Sequence, residues 1–285
     1  MRNLLVANDL TNGSHHAMGR AIRLAAKTGA SIRIIHSAPT TLSSFDCLTI
    51  RKRLETETRL MMEELCGREL NWSIRIRSGD PASAINREAK RIDADLVLVG
   101  AHGEPRLRDA IFGTTSMHLM RHCDYPILVV QNDDGIAYTK VMAALDDVGS
   151  AEAPLQAAMA IAPEAELFVV HAFESRLSQV FSEGDVIERV EKDQQVALDR
   201  IIRHGAPANG PAPDVRMHVI ARQGEVMDVI MKSWSEIEPD LVVMATHGRS
   251  GFSHLLHGSF TEYVLLGCRS DILVTRMSDN GETAL

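Results

Sequence analysis

The chain is poor in what several function classes need. Its 285 residues include four cysteines, Cys47, Cys66, Cys123 and Cys268, none of them in a C-x-x-C pair or a metal-ligand pattern. Cys123 and Cys268 read as small hydrophobes placed ahead of a final strand. The twelve histidines are scattered. His15-His16 and His254-x2-His257 lack a partnering Cys, Asp or Glu in register, so no metal site is expected. No surplus of positive charge exists. The net charge is −8, which argues against a broad nucleic-acid footprint or an anionic-membrane surface. No apolar run approaches the roughly 20 residues that span a bilayer. The start, Met1-Arg2 followed by the strand-like Asn3-Leu-Leu-Val-Ala-Asn8, lacks the longer apolar region and cleavage site of a signal peptide, so a cytoplasmic location is expected. Two phosphate-binding signatures are also missing: no G-x4-G-K-[ST] occurs, and no G-x-G-x-x-G follows the first strand.

What is present is an internal repeat. Asp95-Leu-Val-Leu-Val-Gly-Ala-His-Gly103 is followed after nine residues by Gly113-Thr114, then by Pro126-Ile-Leu-Val-Val130. Asp240-Leu-Val-Val-Met-Ala-Thr-His-Gly248 is followed, again after nine, by Gly258-Ser259, then by Asp271-Ile-Leu-Val-Thr275. The offset is 145 through this region, 137 between Asp9 and Asp146, and 135 between His36 and His171. A ten-residue insertion in the second copy accounts for the jump, and the Pro/Gly-rich stretch His204–Pro213 is the natural place for a surface loop. The protein is therefore two copies of one module, which agrees with the length prior for two domains. The boundaries fall at 1–131 and 138–279, joined by the short polar stretch Gln131-Asn-Asp-Asp-Gly135.

Within copy one, strands are predicted at 3–8, 31–36, 71–77, 96–99 and 127–130. Helices fall between them, among them one capped near Thr11–Ser14 and ended by Gly29, and one near 48–66. The alternation in Asn71–Arg77 suits a half-exposed edge strand. The all-apolar Leu96–Val99 suits a parallel sheet covered on both faces. Copy two predicts strands at 140–145, 166–171, 215–220, 241–245 and 272–275. Strands alternating with helices define an α/β fold, two tandem doubly wound domains with parallel sheets.

Ligands of such sheets bind outside the carboxyl ends of the strands, where strand order reverses. Asp9 and Asp146 end first strands. Gly100–Gly103 and Ala245–Gly248 end fourth strands, so aspartate and glycine loop face one crevice. Gly113-Thr114 and Gly258-Ser259 open helices, whose unpaired N–H groups and positive dipole end favour phosphate. The chemistry points to a phosphate-bearing ligand, a nucleotide. Taken alone, Asp9 could equally cap the helix after it, and a vestigial, purely structural loop remains an alternative for copy two.

The spacing G-x2-G-x9-G-[ST] after Asp-Leu-Val, with Val6-Ala-Asn-Asp9, Ile34-Ile-His36 and Ser78-Gly-Asp-Pro-Ala82, resembles the universal stress protein family in its tandem form, over 3–130 and 139–276. The resemblance implies five-stranded parallel sheets of order 3-2-1-4-5 with helices on both faces. It also implies binding of ATP or a related adenine nucleotide, alone or with magnesium. Asp9 would then meet the adenine end, Gly100 the ribose region, and Gly103, Gly113, Thr114 and Thr115 the phosphates. In copy two the matching residues are Asp146, Ala245, Gly248, Gly258, Ser259 and Phe260. The family commonly pairs domains through the last strand, here 126–130 and 271–275, which implies a pseudo-dimer of the two copies, with a homodimer and an unidentified protein partner left open.

The two copies depart from the pattern differently. Ala245 replaces the first loop glycine, and Glu104 stands where a basic residue is common, with Arg106 and Arg108 nearby. Copy one, with the intact backbone cradle, is the preferred nucleotide site. Neither His-x-Gly-His nor Ser-Gly-Gly-x-Asp-Ser occurs, and no paired carboxylates, lysine clamp or general base stand out. A dedicated catalyst is therefore not expected, although slow ATP hydrolysis stays open. The contrasting reading is a ligand-free scaffold that binds other proteins.

Overall fold

The computed structural model describes residues 1–39, 41, 43–101, 114–131, 137–145, 151–173, 189, 192–193, 196, 216–246 and 270–276. These fall into two compact units, the first holding residues up to 131 and 270–274, the second 137–246 and 275–276.

The first unit opens with β1 (Asn3–Ala7), α1 (Asn12–Thr28), β2 (Ser31–Ala38), α2 (Ser44–Cys66) and β3 (Trp72–Ser78). It continues with α3 (Pro81–Ile92), β4 (Leu96–Gly100), α4 (Thr114–His122) and β5 (Ile127–Val130). Its strands run β3-β2-β1-β4-β5, all parallel, which is the expected 3-2-1-4-5 order. The helices α1 and α2 pack together, as do α3 and α4, giving the sheet two helical faces. Burial on both faces explains why β4 reads as an unbroken apolar run: Leu96, Val97, Leu98 and Val99 are all buried. Beside β5 lies β10 (Asp271–Arg276), antiparallel, with Leu273 opposite Leu128. The repeat pattern places this strand in copy two, yet its residues 271–274 group with the first unit.

The second unit holds β6 (Lys140–Leu145), α5 (Glu152–Ile161), β7 (Glu166–Phe173), β8 (Met217–Gln223), α6 (Val226–Ile237) and β9 (Leu241–Thr246). Its order β8-β7-β6-β9 is parallel and repeats the first four strands of unit one. At the tail of β10, in this unit, the Thr275 hydroxyl donates to the Met244 carbonyl of β9.

The sequence's punctuation forms the caps it predicts. The Thr11 side chain accepts from the Ser14 amide at the head of α1, and Gly29 closes it in the left-handed region. Gly79 and Gly224, equivalent in the repeat, have φ of 110° and 150° just before α3 and α6, a backbone that residues with a Cβ rarely adopt. The predicted start of α2 near 48 is corrected to 44. Ser43 and Asp46 form a reciprocal capping box, with the Ser43 hydroxyl 2.7 Å from Asp46 Oδ2.

Candidate functional site

In the first unit β1 and β4 are neighbours, with Leu4 opposite Leu96 and Val6 opposite Leu98. The strand order reverses there, because β1 leads by way of α1 to β2 on its other side. The carboxyl ends of β1 and β4 thus carry Asp9 and Gly100 side by side, as the sequence predicts.

The β1 end is built from a chain of short polar contacts. Asn8 is buried, and its Oδ1 accepts from the Leu10 amide at 2.8 Å and the Ser14 hydroxyl at 3.4 Å. Its own carbonyl lies 2.7 Å from His36 Nδ1, so that nitrogen carries the proton and donates. The result is a sharp kink at Leu10, whose φ is 67°. A left-handed backbone at a residue with a full side chain persists only where its surroundings impose it, and such outliers gather at ligand sites. Asp9 is exposed, and its Oδ1 accepts from the Thr11 hydroxyl at 2.5 Å and the Thr11 amide at 3.1 Å. One carboxylate oxygen is therefore spent on the turn before α1.

Gly100 has a packing role. A Cβ built there would lie 2.4 Å from the carbonyl carbon of Gly13 and 2.8 Å from the Ser14 amide nitrogen. The first turn of α1 thus rests directly on the end of β4, and only a residue without a Cβ permits it. The Gly100 carbonyl in turn accepts from the buried Ser116 hydroxyl at 2.9 Å. This bond ties the first turn of α4 to the same strand end. Thr114 opens α4, and Thr115 follows it, half-buried. Gly103, Gly113, Asp146, Gly248, Gly258 and Ser259 lie outside the described residues, as does Glu104. Of the residues predicted for copy one, the structure brings together Asp9, Gly100 and the helix start at Thr114 and Thr115.

Three contributors escaped the reading of the sequence, Asn8, Gly13 and Ser116, while His36 was legible as a strand-end residue bordering the pocket but without a role. Aligning the copies would have singled out the first. At offset 137, Asn8, Thr11, Gly13 and Ser14 become Leu145, Val148, Ser150 and Ala151. The polar side chains Asn8, Thr11 and Ser14 of the first copy are thus replaced by apolar ones in the second, and α5 has no side-chain cap at Ala151. His171 is kept, with Nδ1 3.2 Å from the Leu145 carbonyl. A further shared device lies at the opposite end of the strands. Asp95 accepts from the Arg2 and Asn3 amides, and Asp240 from the Thr139 and Lys140 amides and the Thr139 hydroxyl. The aspartate that begins each Asp-Leu-Val run therefore clamps the first strand to the fourth, at the end of the strands opposite Asp9 and Gly100. Among the described residues no group of acidic, His and Cys side chains could hold a metal, and no helix is long and apolar enough to cross a membrane.

Two stretches of the chain, residues 1–131 and 137–276, match the model of the universal stress protein family, and the chain belongs to that family. The double match makes it the tandem type. The universal stress protein E homolog of Haemophilus influenzae is 23% identical over 290 residues, covering 93% of this chain and 94% of that one. A universal stress protein of Mycobacterium tuberculosis is 27% identical over 194 residues, covering 65% of this chain and 63% of the relative. The chain thus spans less than two thirds of the length of that mycobacterial protein. A universal stress protein structure from Archaeoglobus fulgidus superposes with a TM-score of 0.69 at 17% identity, covering 97% of this chain and 98% of the other. A Pseudomonas aeruginosa structure described as a universal stress protein gives 0.62 at 20% identity, covering 97% and 93%. At these identities the structural likeness speaks for the fold.

Proposed function

We propose that the first copy binds an adenine nucleotide, ATP with or without magnesium, and that the protein acts in a stress response as a nucleotide-responsive regulator. The observation that carries this reading is the junction of β1, β4 and α4: Asp9, the kinked Leu10 and the start of α4 converge where the strand order reverses. In this reading the free oxygen of Asp9 meets the adenine end, and the backbone at Gly100 approaches the ribose. The phosphates lie over Gly103, Gly113, Thr114 and Thr115 at the positive end of the α4 dipole. Copy two, with Asp146, Gly248, Gly258 and Ser259 but Ala245 in place of glycine, serves as its structural partner. Loss of the Asn8 and Ser14 equivalents there supports the assignment to copy one. No side chain is assigned to catalysis, so any hydrolysis is slow.

The competing reading is a ligand-free scaffold. It draws support from Asp9 and Gly100, since the turn at Thr11 and the packing of Gly13 account for both residues without a ligand. Thermal-shift titration with ATP and magnesium, on the wild type and on Gly113→Asp and Gly258→Asp, separates the two. Stabilisation lost only in Gly113→Asp is the expected result. Loss only in Gly258→Asp moves the site to copy two, and no stabilisation of the wild type at millimolar ATP leaves the scaffold.

A further inference from the structure

A second feature of the first unit lies away from this crevice. Glu88 on α3 is 1% exposed, and three guanidinium groups reach it: Arg91 at 2.6 Å, Arg33 at 3.2 Å and Arg77 at 3.7 Å. Arg75 stands on the same face of β3 as Arg77, two residues away, and its buried Nε has no hydrogen-bond partner among the described residues. Arg33 sits below its ordinary pKa, chiefly through burial, with Glu88 opposing and Arg91 and Arg75 adding to the fall. Four guanidiniums thus share one carboxylate, in a chain whose net charge is −8.

The fold does not require this excess. In the second unit the equivalents of Arg33, Arg75, Glu88 and Arg91 are Phe168, Ile220, Ser233 and Glu236. Only Arg77 persists, as Arg222, donating to Glu236 at 2.6 Å and to Ser233 at 3.3 Å. The same module therefore closes with a neutral pair. The cluster also adjoins β3, which among the described residues is the last strand on its side of the sheet and whose Arg77 and Ser78 are exposed. A sheet edge offers unpaired N–H and C=O groups to an added strand, and alternate side chains of that strand repeat at about 6.6 Å on one face. Arg75 and Arg77 have that spacing.

We propose that the outer edge of β3, with the Arg33, Arg75, Arg77 and Arg91 cluster, takes an extended acidic peptide by strand addition. Backbone bonding to β3 supplies affinity, and carboxylates at alternate positions supply specificity. Guanidinium groups suit this role because their forked donors pair with carboxylates two at a time. The neutral edge of β8 gives the internal control.

The test uses the full chain and a fluorescein-labelled, end-capped octapeptide of alternating Glu and Val, read by fluorescence anisotropy at low and high salt. Saturable binding that weakens with salt is expected. Arg75→Ile, which installs the residue of the second copy, and Arg77→Gln should each weaken it about tenfold, while Arg222→Gln leaves it unchanged. Melting temperatures close to wild type show that both variants are folded. The same peptide with proline for valine cannot add as a strand and should not bind; equal binding overturns strand addition. Tighter binding of an eight-nucleotide single-stranded DNA overturns the peptide assignment in favour of phosphate. No saturable binding of the Glu/Val peptide up to a millimolar leaves the arginines as guards of an idle edge and overturns the proposal.

Discussion

At the scale of single residues, backbone approach and hydrogen bonding decide most outcomes. Gly100→Ala places a methyl group within 2.4–2.8 Å of the α1 backbone, which has no flexible side chain to yield. Overpacking of this kind costs about 1–3 kcal/mol, so urea denaturation should show a lower midpoint with an unchanged slope. An unaltered midpoint would mean that α1 shifts without cost. For Asp240, burial is the largest single influence and raises its pKa. The bonds from the Thr139 hydroxyl and the Lys140 and Thr139 amides together outweigh it and hold the carboxyl below its ordinary value. A pKa lower in the folded than in the unfolded state stabilises the fold above the ordinary Asp value of about 3.9, and that contribution is lost as pH falls through the folded value. Asp240→Asn should therefore melt below wild type at pH 7, with the gap closing below about pH 4. Melting curves from pH 7 to 2.5 check this, and a gap that widens on acidification contradicts it.

At the scale of elements, caps and tethers locate the site. The bond from the Ser116 hydroxyl to the Gly100 carbonyl fixes where α4 begins relative to β4. Ser116→Ala removes a buried bond worth about 1 kcal/mol and should weaken ATP binding besides lowering stability. Calorimetric titration and chemical denaturation on one variant separate the two effects. An unchanged affinity would detach the α4 start from the ligand. Most elements were legible because their signals are local: period-two alternation in β3, an apolar run in β4, Gly29 after α1. The start of α2 was not, since its box uses Asp46 in place of the commoner Glu or Gln. The roles of Asn8, Ser116 and the His36 ring were not legible for a different reason. Their roles depend on partners brought close by the sheet, such as Gly100, sixteen residues before Ser116, and a single sequence does not display those distances.

At the scale of the whole molecule, duplication sets the plan and divergence sets the function. The offsets of 137, 135 and 145 show the two modules directly, yet they hide where the copies differ chemically. Asp271 illustrates this. By repeat position it matches Pro126, but it is 3% exposed in the first unit, with Arg20 Nε at 3.5 Å and the Gln131 amide donating at 2.9 Å. Arg20 corresponds to Ala157, so the pair has no counterpart in the second copy. Asp271→Ala removes the carboxylate beside a buried arginine and should cost about 3–5 kcal/mol, measured by guanidinium unfolding; a loss below about 1 kcal/mol would show that water replaces the carboxylate freely. The same asymmetry shows in the sequence at the end of β1, where Asn8, Gly13 and Ser14 correspond to Leu145, Ser150 and Ala151. Under the proposed function this asymmetry implies one nucleotide per chain. Isothermal titration of the wild-type chain with ATP and magnesium tests this most directly: saturable binding at a stoichiometry of one is expected, whereas two equivalent sites, or no heat at millimolar ATP, would contradict it.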